Sequence, residues 1–281
     1  MKEKIMLDII VPTYKRHYAI DRLINDLKLQ RDQNFNLNII DQSAQKYINK
    51  YNTNFKVNIF WVPTIRSPIL ARDYGVKITK SEILLFLDDD MIPSSNLVEN
   101  IRSIYSDYKD PLVIGGISNV RIQSRPERLI RKILQRGIYD DPRYIYFKKS
   151  YEGNYDQIES FLPTPYISAS ILSMNRRVLE INPFPTHFKK HILGGDIYFG
   201  MECKKKKIRV CLSYLLRAEE LSDENFEFKS IKGYKKIFLS FHSAYLMLIL
   251  NGVNLKNLFN YCLRVSLICL FLLRILIKRI I

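Results

Sequence analysis

The sequence predicts an α/β fold: a mostly parallel sheet flanked by helices, followed by a C-terminal hydrophobic helical segment. Three observations carry that expectation. Short β-branched runs alternate with segments of helical period, as βαβ units require. The runs are near-continuously apolar, as in strands covered on both faces. Polar residues also gather just past the run ends, on the edge where open sheets of this kind collect ligands.

The elements come in order along the chain. Residues 6–11 (MLDIIV) read as the first strand and PTYKR as the turn after it. Residues 19–29 carry Ile20, Leu23, Ile24 and Leu27 at helical spacing. Residues 37–40 form a second strand that ends in Asp41-Gln42-Ser43, and residues 57–62 a third. A helix over 69–79 leads into a fourth strand over 83–87, and residues 96–105 form a helix. Beyond Pro111 the pattern loosens. Residues 112–120 suit a strand, and 121–160 are basic and tyrosine-rich without a period. An apolar, small-residue stretch over 166–175 precedes a short helix over 176–180. A Gly-Gly-Asp turn and a helix fill 191–207, and the chain is helical and hydrophobic from 231 onward. The domains expected are therefore 5–225, catalytic, and 231–281, a membrane-associating tail.

The chain has 281 residues, enough for one large domain and an appendage, and no Gly/Ser/Pro-rich linker or internal repeat. It carries 44 Lys and Arg against 28 Asp and Glu, and a net charge of +16 calls for an anionic partner. The basic residues cluster at 121–149, at 204–207 (KKKK), and beyond 228, where no Asp or Glu occurs. The four cysteines form no CxxC pair and have no His at ligand spacing, which argues against a zinc site or a disulfide framework. The N-terminal apolar run is short and broken by Asp8 and Pro12, so it reads as a strand rather than a secretion signal. The expected location is cytoplasmic, peripherally associated with the cytoplasmic face of a membrane.

The stretch ILLFLDDDMIP ends a buried strand in three aspartates. Like charges so close repel one another unless something neutralises them. A divalent cation held by oxygen ligands does this, with substrate phosphates completing its shell. A solvated turn that helps cap the next helix, through Ser94 or Ser95, is the alternative.

The order IIVPTYKR, IIDQS, SPILARDYGVKITKSEILLFLDDD resembles the family 2 glycosyltransferases of the GT-A fold. That family shows a strand ending in V-P-x-Y/F-N/K, a second ending in D-x-S, an A-R-N-x-G helix, and a strand running into D-x-D. Here the matching residues are 11–16, 41–43, 71–75 and 88–90. A later element also matches: SASILSMNRRVLEINPF, then GGDIYFGMECKKKKIRV, where Gly195 replaces the family's usual Glu. The resemblance covers about residues 7–210.

The resemblance implies an inverting transfer of a sugar from a nucleotide-diphosphate sugar to an acceptor hydroxyl. It implies donor-binding roles for Pro12, Thr13, Asp41, Arg72, Asp88 and Asp89, and Mg²⁺ or Mn²⁺ held by Asp90 with Asp88. It implies that Asp196 is the catalytic base. Each has a structural alternative. Asp41 suits an Asx-turn, Arg72 a salt bridge, and Asp196 a helix N-cap. The family's His after the last strand is missing from LSYLLRAEELSD, where Arg217 or Glu219 stands available.

Residues 255–281 place Asn257, Asn260, Arg264, Arg274 and Lys278 along one helical face, with Leu267 and Phe271 in the same stripe. The uninterrupted apolar stretches fall short of the ~20 residues a spanning helix needs. A helix lying in the interface of an anionic membrane fits better. A buried packing helix is the alternative, and residues 237–250 suit the other arm of a hairpin. A lipid-linked glycan acceptor in polysaccharide synthesis follows from this reading. The 121–149 cluster, with Tyr139, Tyr144, Tyr146 and Phe147, suits a carrier diphosphate or headgroups. No nucleic-acid partner is expected, because no motif of a nucleic-acid module accompanies the basic and aromatic residues. Two other functions stay open: an inactive, basic membrane scaffold on the same fold, and a metal-dependent nucleotidyltransferase.

Overall fold

The computed structural model describes residues 6–108, 110–118, 159–164, 167–181 and 195–220, with a few helical positions between 245 and 269. In chain order the elements are β1 (Leu7–Thr13), α1 (His17–Leu27), β2 (Phe35–Asp41), β3 (Lys56–Trp61), α2 (Pro68–Ile78), β4 (Ile83–Leu87), β5 (Met91–Pro93), α3 (Leu97–Asp107), β6 (Leu112–Ile117), β7 (Leu162–Pro163), β8 (Ile171–Asn175), a 3₁₀ turn (Arg176–Ile181), α4 (Gly195–Lys205) and β9 (Arg209–Glu220). All lie in one compact unit of residues 1–120, 145–191 and 195–221; a second unit gathers 121–144, 192–194 and 222–281.

The strands lie in the order β3-β2-β1-β4-β8-β6-β9-β5. From β3 to β4 every pairing is parallel. β8 then runs antiparallel to both β4 and β6, while β6 and β9 are parallel again. The sheet is therefore mixed, and β8, β9 and the short β5 and β7 refine the sequence reading. An apolar run such as ILSMN announces a strand but not its direction.

Side chains alternate between two cores, as the period of a strand demands. Leu7, Ile9 and Val11 of β1 face one core, with Ile20, Leu23, Ile24 and Leu27 of α1 and Val98 and Ile101 of α3. Ile10 of β1, with Leu84 and Phe86 of β4, faces the other, with Ala71 of α2 and Phe199 and Cys203 of α4. Helices cover both faces, which is why a central strand such as β4, ILLFL, is apolar at every position.

Two local features shape the sheet beside β5. Gly116 lies where one residue of β6 stands against four of β9, between the pairs Gly115–Leu212 and Ile117–Arg217. A Cβ at Gly116 would lie 2.5 Å from the Leu216 carbonyl oxygen, so the close approach requires glycine. Past this irregularity β9 leaves β6 and pairs with β5, Met91 opposite Glu220. The cap of α3, just after β5, differs from expectation. Its N-cap is Asn96, and neither serine caps it through its side chain. Gln30 does so from the loop after α1, accepting from the Val98 N–H at 3.1 Å and donating to the Ser94 carbonyl at 2.8 Å.

The basic segment 121–149 and the stripe residues at 257, 260, 264, 267, 271, 274 and 278 lie outside the described residues, as does the 237–250 segment apart from Tyr245. Among the described residues no helix is long and apolar enough to cross a membrane.

Candidate active site

The site assembles on the edge where β1, β2 and β4 end. Asp89, fully buried, is fixed by the last residue of β1 and by an arginine from the turn that follows. Thr13 donates its hydroxyl to Asp89 Oδ2 at 2.7 Å, and Arg16 pairs with Asp89 Oδ1. Arg16 also reaches Asp90 Oδ2 at 3.1 Å. Arg22 of α1 donates to the Asp89 carbonyl at 3.1 Å and holds the backbone of the turn. On the other side Arg72, in the middle of α2, reaches Asp88 Oδ1 at 2.5 Å and the Ala169 carbonyl at 3.4 Å. Two guanidinium groups thus embrace three carboxylates.

The turn before α1 sets Arg16 in place. Lys15 adopts a left-handed backbone, φ 58°, and its N–H donates to Ser43 Oγ at 2.8 Å. The Arg16 carbonyl then accepts from the Ala19 N–H at 2.9 Å, which starts the helix. Ser43 is itself fixed by Asp41. Both oxygens of that buried carboxylate accept from backbone, Oδ1 from the Ser43 N–H at 2.9 Å and Oδ2 from the Tyr47 N–H at 2.7 Å. His17 Nε2 stands 3.4 Å from Oδ2. The D-x-S strand end is thus an Asx-type turn that braces the loop carrying Arg16.

Pro12 and Thr13 close β1 beside Ile40 and Asp41 of β2. Asp88 leans on the small-residue stretch before β8, its N–H donating to the Ser170 carbonyl at 3.0 Å. Asp196 stands half-buried in the first turn of α4. A tight turn with Lys207 at φ 59° joins α4 to β9, and the Ile208 N–H reaches back to the Cys203 carbonyl at 3.0 Å. A helix joined to its strand so closely runs antiparallel to it. The first turn of α4 therefore points back toward the edge where β4 ends. Arg176 lies at the opposite edge, where it braces the turn before β4 through the Ser81 and Glu82 carbonyls, each at 2.7 Å.

Burial dominates the electrostatics. It pushes the Asp89 carboxyl up to about 7, against the pull of Arg16 and the Thr13 hydroxyl. Asp90 is also raised, by burial first and then by Asp88, with Arg16 opposing. Glu220 is raised by burial and by the charges of Asp90 and Asp88. Arg16, His17 and Glu220 are the site members that sequence reasoning missed. The signals were present: two basic residues where the turn after the first strand enters the helix, and an acidic pair ending an apolar strand.

Among the described residues no three His, Cys, Asp or Glu side chains are placed to hold an ion by themselves. The donor set still fits a divalent cation that takes the rest of its shell from phosphate. Asp88 and Asp90 are hard oxygen donors two positions apart, with side chains 28% and 14% exposed.

The sequence model of glycosyl transferase family 2 matches residues 8–180. The chain belongs to that family. A curated relative, described as an uncharacterized glycosyltransferase of Haemophilus influenzae, is 30% identical over 135 residues, 44% of this chain and 46% of the relative. The chain thus spans about half the length of that relative. Among solved structures, S. aureus TarS 1–349 in complex with UDP-GlcNAc superimposes with a TM-score of 0.53 at 17% identity, over 89% of this chain and 68% of that one. The mannosyltransferase PcManGT of Pyrobaculum calidifontis, in complex with GDP-Man and Mn²⁺, gives 0.52 at 13%, over 86% and 63%. GalNAc-T7 with UDP, GalNAc and Mn²⁺ gives 0.56 at 11%, over 87% and 51%. These likenesses establish the fold, which is GT-A. The aspartate triplet of this family 2 chain lies at the carboxyl end of β4.

Proposed function

We propose that this chain moves a sugar from a nucleotide-diphosphate sugar to a hydroxyl of a lipid-linked glycan, with inversion and with a divalent cation, Mg²⁺ or Mn²⁺, at Asp88 and Asp90. The observation that carries the reading is the triplet itself: two partly exposed carboxylates at a strand end, backed by a wholly buried third. When bound, the cation would neutralise charge building on the departing diphosphate. Pro12 and Thr13 would border the donor, and Arg72, already on Asp88, would orient that carboxylate toward ribose or metal. Asp41 would act by bracing the loop beside the base, and Asp89 by holding Thr13 and Arg16 in register. Asp196 would accept the proton of the acceptor hydroxyl. The new bond to the anomeric carbon forms as the bond to the diphosphate oxygen breaks, in one displacement, so no covalent intermediate is required.

In this reading the catalytic region, residues 5–225, works at the cytoplasmic face of an anionic membrane, and residues 231–281 bring it there. The product belongs to polysaccharide synthesis. The basic, Asp- and Glu-free composition beyond residue 228 supports this.

Calorimetry tests the donor reading: UDP, GDP and dTDP are titrated into purified protein with and without Mn²⁺, and again into Asp90→Ala. The expected outcome is cation-dependent binding of one nucleotide, lost in the variant. Folded protein that binds none of the three would instead support the scaffold.

A further inference from the structure

The two arginines on the triplet are not equivalent. Arg72 rises from the middle of α2, its side chain is only 10% exposed, and it also holds the Ala169 carbonyl. Arg16 lies at the N-cap of α1 with its side chain 29% exposed. Its two ends meet different surroundings. Nη2 sits on Asp89, which is fully buried and tied to Thr13. Nη1 sits on Asp90, one of the two carboxylates able to take a cation.

We propose that Arg16 is a positioning residue that keeps Asp90 in reserve: its outer nitrogen occupies that carboxylate until a divalent cation takes it, and then turns to the donor's diphosphate. The proposal rests on the cation-dependent reading of the triplet. One observation and three physical arguments lead to it. The backbone of Arg16 is fixed by the Lys15–Ser43 hydrogen bond and the first turn of α1, so exchange involves the side chain alone. The Asp89 contact is an anchor that persists while Nη1 moves. A guanidinium and a cation on one carboxylate repel each other, so binding of one displaces the other from Asp90. The freed N–H groups suit a phosphate oxygen, which guanidinium binds with defined geometry. Arg16 thus neutralises the triplet in the empty enzyme and becomes a donor ligand in the loaded one.

The test monitors free Mn²⁺ by electron paramagnetic resonance as full-length protein is added, with Mn²⁺ alone and with UDP, GDP or dTDP. Wild type is compared with Arg16→Gln, Arg16→Lys and Lys15→Gln. Lys15 is the control for charge, being adjacent in the chain with its ammonium over the Tyr14 ring rather than on the triplet. Arg16→Gln should bind Mn²⁺ alone about tenfold more tightly than wild type, having lost a charge-assisted competitor. The nucleotide should then tighten Mn²⁺ binding about tenfold less than it does in wild type, for want of the phosphate contact. Lys15→Gln should stay within about twofold of wild type in both measurements. Arg16→Lys, which keeps the charge but cannot span both carboxylates, should fall between, and it carries the test should Arg16→Gln not fold. Equal or weaker Mn²⁺ binding by the Arg16 variants, or an equal gain in Lys15→Gln, overturns the exchange while leaving the cation reading intact. Mn²⁺ left free by every protein, even with nucleotide, overturns both.

Discussion

Asp89 has no exposure, and its carboxylate depends on the Thr13 hydroxyl and the Arg16 guanidinium. Asp89→Ala removes one partner of a buried pair and should cost about 3 kcal/mol, the lower part of the usual range because Arg16 can turn to water. Urea unfolding monitored by circular dichroism reads that loss. Thr13→Val, which removes one hydrogen bond and keeps the shape, should cost about 1 kcal/mol. The pH dependence has its source in the same burial. Asp89 moves from 3.8 to about 7 on folding, and Asp90 and Glu220 also move up. The folded protein therefore binds protons more tightly than the unfolded chain, so stability falls as pH rises through this window and levels above about 7. Urea midpoints at a series of pH values should show that decline, and Asp89→Asn should flatten most of it. At this scale the sequence exposed the aspartates and offered Arg72 as a salt-bridge partner, which Asp88 receives, but it did not expose the partners of Asp89. Residues at the right spacing along a strand announce themselves, whereas Thr13 and Asp89 are brought together only by the pairing of β1 with β4.

Among the elements, the βαβ half was legible because each strand and helix repeats one simple pattern. The far half was not, because β8 reverses direction and β9 shifts register against β6. The shifted pairing depends on Gly116, where a methyl group would meet the Leu216 carbonyl oxygen, a backbone atom that cannot rotate aside. Gly116→Ala should lower stability by about 2 kcal/mol, as overpacking does, and should also disturb the β5–β9 ladder that places Glu220 beside the triplet. Gly75 offers the contrast. A Cβ there would lie 2.5 Å from Cγ2 of Ile10, a side chain rather than backbone. Gly75→Ala should therefore be rescued in part by Ile10→Ala, and thermal melts of the two single variants and the double variant would measure that coupling.

For the whole molecule, the proposed attachment to a membrane makes a separate prediction. The full chain should sediment with vesicles containing anionic lipid and not with neutral ones, and the bound fraction should fall as salt rises. Equal binding to both would point to apolar insertion alone. The architecture also has a history in time. Thr13, Arg16 and Arg72 all precede the triplet in the chain, whereas β9, which pairs with the segment after it, emerges about 130 residues later. At the usual pace of about 5–20 residues per second, a ribosome takes on the order of ten seconds to cover that distance. During that wait three aspartates stand at the end of a nascent strand with no β9 beside them. Their counter-charges have already been synthesised, so β1, α1, α2 and β4 can settle around a neutralised triplet before the rest of the sheet exists. Exchanging either arginine for a neutral residue should therefore lower the yield of folded protein from synthesis more than it lowers the equilibrium stability of the finished chain.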